Sequence, residues 1–280
     1  MTIDSLRIML ECNPDFKPSF ASGLHLRGLF YRALSSVDPS LSSRLHDYKT
    51  LSPFSISPLI RIGPGRYLFR VTSCLSELSD ALVKAFSKMS KVELLNRSFH
   101  ILEISYTRLD LEKLVKSSAP CRKYEIEFLS PTCFRRPCPY IPLHAMGFIT
   151  RILKLFSKPK SHYRFLPLPD PILMLRNLKR QWDRYAGLNL RARRFDSWLE
   201  GGGVALSGVD GVKTYRLYNR ARKRFFVGFT GRVRLSLPAD IFREDCAKAV
   251  NVLLKLGEET QVGVNRTGGF GMYKILKRHE

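Results

Sequence analysis

Histidine is the side chain best suited to move a proton near neutrality. The chain holds six. His25 falls early in a stretch of helical spacing, and His46 in the polar segment after it. On residues alone, His46 reads as an exposed loop residue and His25 as one face of a helix. His100, His144 and His162 carry no partner pattern. Cys133, Cys138 and His144 are spaced poorly for zinc, and no carboxylate cluster suggests a two-metal nuclease. The six cysteines, Cys12, Cys74, Cys121, Cys133, Cys138 and Cys246, show no paired CxxC spacing. They read as reduced thiols, which places the chain in the cytoplasm.

Two further segments have the chemistry of anion binding. The first is Gly263-Val-Asn-Arg-Thr-Gly268-Gly269-Phe270-Gly271. Glycines let a backbone approach a phosphate, and successive N–H groups can form an anion nest. Arg266 adds a charged donor within it. The same glycines would equally serve a hairpin that needs positive φ. The segment is not a Walker loop, since no GK[ST] follows, and it lies at the wrong end for a dinucleotide fold. The second segment runs over residues 176–234, with 15 basic residues against 4 acidic ones, a net +11. Arg191, Arg193, Arg194, Arg222, Lys223 and Arg224 form its densest clusters. Trp182, Tyr185, Phe195, Trp198, Tyr215, Tyr218, Phe225 and Phe226 interleave it. Cations track phosphates while exposed rings stack unpaired bases, a pattern suited to RNA. Trp182, Phe226 and Phe229 serve equally well as core.

The whole chain shares this bias. Lys plus Arg number 47 against 24 for Asp plus Glu, a formal +23 and an isoelectric point near 10.1. Such self-repulsion persists where a polyanion neutralises it. A hydrophobic content of 44% excludes a disordered chain. No apolar run approaches the roughly 20 residues of a spanning helix, so no membrane partner is expected. The opening Met1-Thr2-Ile3-Asp4-Ser5-Leu6-Arg7 has no basic head before an apolar core, so no secretory signal is expected.

The elements that must position these residues follow from periodicity. Residues 3–12 alternate as a strand, and 23–34 space Leu26, Phe30 and Leu34 as a helix. A polar loop through Asp38-Pro39 carries His46. Residues 54–62 and 66–72 read as strands joined at Gly63-Pro64-Gly65, residues 76–89 as a helix, and 92–106 as a strand. That order is βαββαβ. The second half repeats it, with a strand at 124–134, a helix at 171–185, a hairpin from 214–218 and 225–237, a helix at 241–256 and a strand at 269–276. The predicted fold is α+β, two tandem ferredoxin-like, RRM-like domains over residues 1–118 and 119–280.

A glycine loop of the form G-V-N-R-T-G-G-F-G before a last strand resembles the signature of the RAMP superfamily of CRISPR-associated proteins. Within it the chain is most similar to the stand-alone endoribonucleases that process precursor crRNA. Further carrying segments are Leu45-His46-Asp-Tyr-Lys49, Pro53-Phe54-Ser-Ile-Ser57-Pro58 and Phe128-Leu-Ser130-Pro131-Thr132-Cys-Phe134-Arg135. Residues 173–182 and Phe229-Thr-Gly231-Arg-Val233 complete the series, which covers essentially the whole chain. The loop's front reads Gly-Val-Asn where relatives often place a second glycine.

The resemblance implies metal-independent cleavage within each CRISPR repeat. The 2′-hydroxyl attacks the adjacent phosphate, leaving 2′,3′-cyclic phosphate and 5′-hydroxyl ends. It points to His46 as general base or acid, Tyr31 as an orienting or proton-donating group, and Lys49 as the cation steadying the charge, with His25 the rival of His46. Gly263, Arg266, Gly268, Gly269 and Gly271, with the arginine-rich clusters, would bind the RNA. No cofactor is implied. Partners are repeat RNA, proteins of a CRISPR effector complex, and a second copy in a homodimer. The competing readings are a non-cleaving RAMP subunit of an effector complex and a general RNA-binding protein.

Overall fold

The computed structural model describes residues 2–12, 16–48, 51–137, 163–219 and 224–279. In the first half, β1 (Thr2–Glu11) alternates and buries Leu6, Ile8 and Leu10. After it come α1 (Ser22–Ser35), α2 (Pro39–His46), β2 (Phe54–Ile56), β3 (Ile60–Gly63) and β4 (Arg66–Ser73). Then α3 (Ser76–Phe86), β5 (Lys91–Leu94), β6 (Arg97–Asp110) and α4 (Leu111–Ser117) complete it. The sheet runs β2-β4-β1-β6-β5, with β3 also on β4, and every pairing is antiparallel. Leu26, Leu29, Phe30, Ala33 and Leu34 of α1 and Leu78, Leu82 and Phe86 of α3 lie in one cluster with the inward residues of β1 and β4.

The second half begins with β7 (Lys123–Thr132), β8 (Phe134–Pro137) and β9 (Tyr163–Leu166). Next are α5 (Pro171–Tyr185), α6 (Phe195–Glu200), β10 (Ala205–Asn219) and β11 (Arg224–Ser236). It closes with α7 (Glu244–Thr260), a single 3-10 turn (Arg266–Gly268) and β12 (Tyr273–His279). Its sheet runs β10-β11-β7-β12, the same arrangement, with the β8–β9 pair set apart. The chain is therefore α+β, with two tandem ferredoxin-like units. Trp182 and Phe229 are core residues, as one of the two sequence readings has them. The second core also takes in Ile3, Cys74, Leu111 and Leu114 from the first half, so apolar packing is continuous across the seam.

Three expectations are corrected. His46 does not sit in an irregular loop but ends a second helix. Asp38 Oδ1 accepts from the Leu41 amide at 2.8 Å and Pro39 occupies the first turn, a start signal that outweighs the polar composition. The strand expected over 92–106 is two strands. Leu95 and Asn96 both take positive φ, 55° and 58°, and turn the chain between β5 and β6. Pro58 likewise divides the strand expected over 54–62 into β2 and β3.

Candidate active site

The α1–α2 hairpin brings two of the expected residues together. The Asp38 amide donates to the Leu34 carbonyl at 2.8 Å, closing α1, and Asp38 then caps α2. Leu41 and Leu45 are buried against α1, which fixes the rotation of α2 and leaves its final residue facing outward. That residue is His46, whose side chain is 73% exposed. The Tyr31 ring of α1 stands 5.6 Å from it, centroid to centroid, with planes 67° apart. The Tyr31 hydroxyl donates to the Leu45 carbonyl at 3.4 Å. Nδ1 of His46 is 3.9 Å from Oδ1 of Asp47, itself exposed.

Burial pushes the Tyr31 hydroxyl above its ordinary pKa, opposed by the Arg27 guanidinium. Tyr31 is thus a neutral donor at physiological pH. Arg27 lies one turn earlier on the same face, 5.7 Å from the Tyr31 ring centre. An accessible imidazole, a protonated phenol and a guanidinium converge at one helix corner. That set can take a proton, give one and hold negative charge. Arg27 is the member missed from sequence, although its i, i+4 spacing to Tyr31 is a readable signal. His25 is exposed on α1, about 120° round the helix from Tyr31, and so is not gathered into this corner. Lys49 lies outside the described residues.

The segment after α2 is fastened to the second unit. The Tyr185 hydroxyl donates to the Leu51 carbonyl, and Arg266 donates to the Ser52 carbonyl at 2.9 Å. The Tyr48 hydroxyl beside Arg184 strengthens that guanidinium's hold on its own proton. Among the described residues no group of three His, Cys, Asp or Glu is placed to hold a metal. Cys138 and His144, of the poorly spaced cysteine–histidine set, lie outside them.

The glycine loop is packed within the protein. Gly263, Gly268, Gly269 and Gly271 are all buried. The Gly263 amide donates to Asn177 Oδ1, that of Gly268 to the Asn265 carbonyl and that of Gly271 to the Pro131 carbonyl. These donors are spent inside the protein, so they form no outward anion nest. Glycine is needed for close approach instead. A Cβ on Gly23 would strike the Gly268 carbonyl, and one on Gly271 would strike that of Val262. Gly263, Gly269 and Gly271 also hold positive φ of 82°, 90° and 80°. Arg266, expected at a phosphate, is only 5% exposed, with its guanidinium engaged by internal acceptors. The loop therefore presses the second unit onto the start of α1, the helix that carries Tyr31.

The positive charge does reach the surface. Arg180, Arg191, Arg193 and Arg194 are exposed and enter no ion pair among the described residues. Arg191 and Arg194 hold positive φ of 55° and 50°, a conformation ordinary side chains rarely adopt. Arg176 is matched by Glu200, Lys179 by Asp183 and Asp196, and Arg232 by Glu127. Arg222 and Lys223 lie outside the described residues; Arg224 begins β11. Half of the interleaved aromatics are interior, with Trp182, Tyr185, Phe195 and Trp198 buried, while Tyr215 and Phe226 are half-buried. Tyr218 and Phe225 are about half exposed and in contact at 4.9 Å, with the Arg216 guanidinium 3.6 Å above the Phe225 ring. They are the exposed rings of the tract.

Comparison with known proteins accords with this geometry. Residues 126–273, just over half the chain, match the family described as CRISPR-associated endoribonuclease Cas6. Residues 3–102 match the Cas6 N-terminal domain. The CRISPR-associated endoribonuclease Cas6 of Pyrococcus furiosus is 27% identical over 120 residues. That match covers 37% of this chain and 46% of the relative, so it spans just under half of the relative's length. A solved Cas6 product complex superposes with a TM-score of 0.76 at 23% identity, over 98% of this chain and 99% of that one. Thermus thermophilus Cas6 gives 0.69 at 22% identity, over 98% of each chain. Likeness at this identity is a likeness of fold.

Proposed function

The chain belongs to the CRISPR-associated endoribonuclease Cas6 family, and from that premise we propose that it binds CRISPR repeat RNA and cuts precursor crRNA within each repeat. One observation carries the assignment to a site: the Tyr31 and His46 rings stand 5.6 Å apart at an exposed helix corner, with Arg27 beside them. In this reading His46 takes the proton of the 2′-hydroxyl next to the scissile phosphate. The 2′-oxygen attacks phosphorus and the bond to the 5′-oxygen breaks. The leaving oxygen receives a proton from an acid, for which Tyr31 is the neutral candidate. Arg27 and Lys49 hold the charge developing on the phosphate oxygens. The products are a 2′,3′-cyclic phosphate and a 5′-hydroxyl, and no metal takes part.

The exposed arginines of residues 176–234 provide the phosphate contacts, with Tyr218 and Phe225 offering stacking faces. The partner is repeat RNA in the cytoplasm; transfer of the product to effector-complex proteins and pairing of two copies extend the same reading. No helix among the described residues is long and apolar enough to cross a membrane. Affinity for RNA is expected to fall by about 10³-fold or more between 50 and 200 mM salt if six or more phosphates are neutralised. A filter-binding titration across that range checks this, and a flat response would remove the arginine-rich face as the contact surface. The function itself is tested by offering the repeat RNA of the chain's own locus beside a scrambled RNA of equal length. Cutting confined to the repeat supports the enzyme. Tight binding without cutting of either supports the non-cleaving subunit.

A further inference from the structure

One helix of the second unit carries two adjacent stripes with different duties. Arg176, Arg180 and Arg184 recur every four residues along the outer side of α5. One position further on, Asn177, Gln181 and Tyr185 recur in the same way and face inward. Asn177 Oδ1 accepts from the Gln181 side chain at 3.1 Å and from the Gly263 amide at 2.9 Å. Gln181 Nε2 also donates to the Gln261 carbonyl at 3.0 Å, and its Oε1 accepts from Arg266 at 2.9 Å. Arg266 further donates to the Thr260 carbonyl at 2.8 Å and the Ser52 carbonyl at 2.9 Å.

Among the described residues every hydrogen-bond acceptor of Arg266 is neutral, and the side chain is 5% exposed. Burying a guanidinium without a carboxylate is unfavourable, so an apolar residue would serve packing alone better. What an apolar residue cannot do is tie three segments together through one planar fork of donors. The three segments are α5, the end of α7 and the connection leaving α2. That connection reaches His46 six residues before Ser52, and the Tyr185 hydroxyl holds the neighbouring Leu51 carbonyl.

We propose that Arg266 is a positioning residue for cleavage: with Tyr185 it fixes the connection after α2 from the RNA-binding unit, and so sets His46 against Tyr31. The inference rests on the proposed function and deepens it. The helix that presents arginines to the RNA is also the helix that holds the cutting corner in place. The glycine loop thus acts on catalysis through Ser52 and through Gly23 at the start of α1, without touching RNA.

The test compares full-length Arg266→Lys and Tyr185→Phe with wild type. Three quantities are read: the melting temperature, binding of a repeat blocked by a 2′-deoxy sugar, and the single-turnover cleavage rate at saturating enzyme. Both variants are expected to bind the blocked repeat with an unchanged salt slope while cleaving about 10–100-fold more slowly, the effect of a small misplacement of a catalytic group. The double variant is expected to lose less than the product of the two single losses, because both hold one segment. Tyr185→Phe keeps its ring and carries the test if Arg266→Lys does not fold. Wild-type rates in the folded variants would overturn the proposal. So would weakened binding with a salt slope reduced by about one and an intact rate at saturation, the mark of a phosphate contact. If wild type itself does not cut its repeat, the functional reading fails and the positioning role falls with it.

Discussion

Replacing His46 with alanine is expected to slow single-turnover cleavage of repeat RNA by about 10²–10⁴-fold, the usual contribution of one acid–base group. The ring is 73% exposed, and the Asp47 carboxylate 3.9 Å from it is exposed as well. Its removal leaves no buried cavity, so folding stability should change by about 0.5 kcal/mol or less. Binding should hold too, because the exposed arginines Arg180, Arg191, Arg193 and Arg194 are untouched. The signature is therefore a slow enzyme that is folded and loaded, read from rates at saturating enzyme together with dissociation constants. Tyr31→Phe removes one hydroxyl whose hydrogen bond, at 3.4 Å, is long, and should have the smaller effect. A normal rate in His46→Ala would shift the chemistry to His25, on another face of α1.

The larger effect lies in the substrate. A single 2′-deoxy sugar at the cut site removes the nucleophile itself, so cleavage there should stop altogether, while affinity changes little because phosphates and most sugars are intact. Moving the deoxy position along the repeat should give one blocking site and near-normal rates elsewhere. Continued cutting of the blocked repeat would mean that water is the nucleophile, and the roles given to His46 and Tyr31 would no longer apply.

Much of the architecture was legible because the strongest signals were long and periodic. The helix expected over 171–185 is α5, residue for residue. Both βαββαβ orders emerge as the two sheets. Shorter signals were overruled by local chemistry. By composition Asp38-Pro39 reads as loop, although a capping aspartate followed by proline begins α2. Leu95 gave no hint of a turn, because a branched apolar side chain at positive φ is rare and is held there by the pairing of β5 with β6.

The site divides along the same line. Tyr31 and His46 are named by resemblance, but their proximity depends on how α2 rotates onto α1, which no local pattern encodes. Arg266 and the glycines carry the chemistry of an anion site in sequence. Their burial depends on Gly23, Ser52 and Pro131, all more than 100 residues away along the chain. Type and spacing say what a residue can do, whereas long-range packing decides which way it faces.

The most direct measurement incubates wild-type protein with the repeat RNA of its own locus in EDTA and identifies the termini of the products by mass spectrometry. The account predicts one cut per repeat, with a 2′,3′-cyclic phosphate on one fragment and a 5′-hydroxyl on the other. Loss of cutting in EDTA, or a 5′-phosphate product, would contradict it.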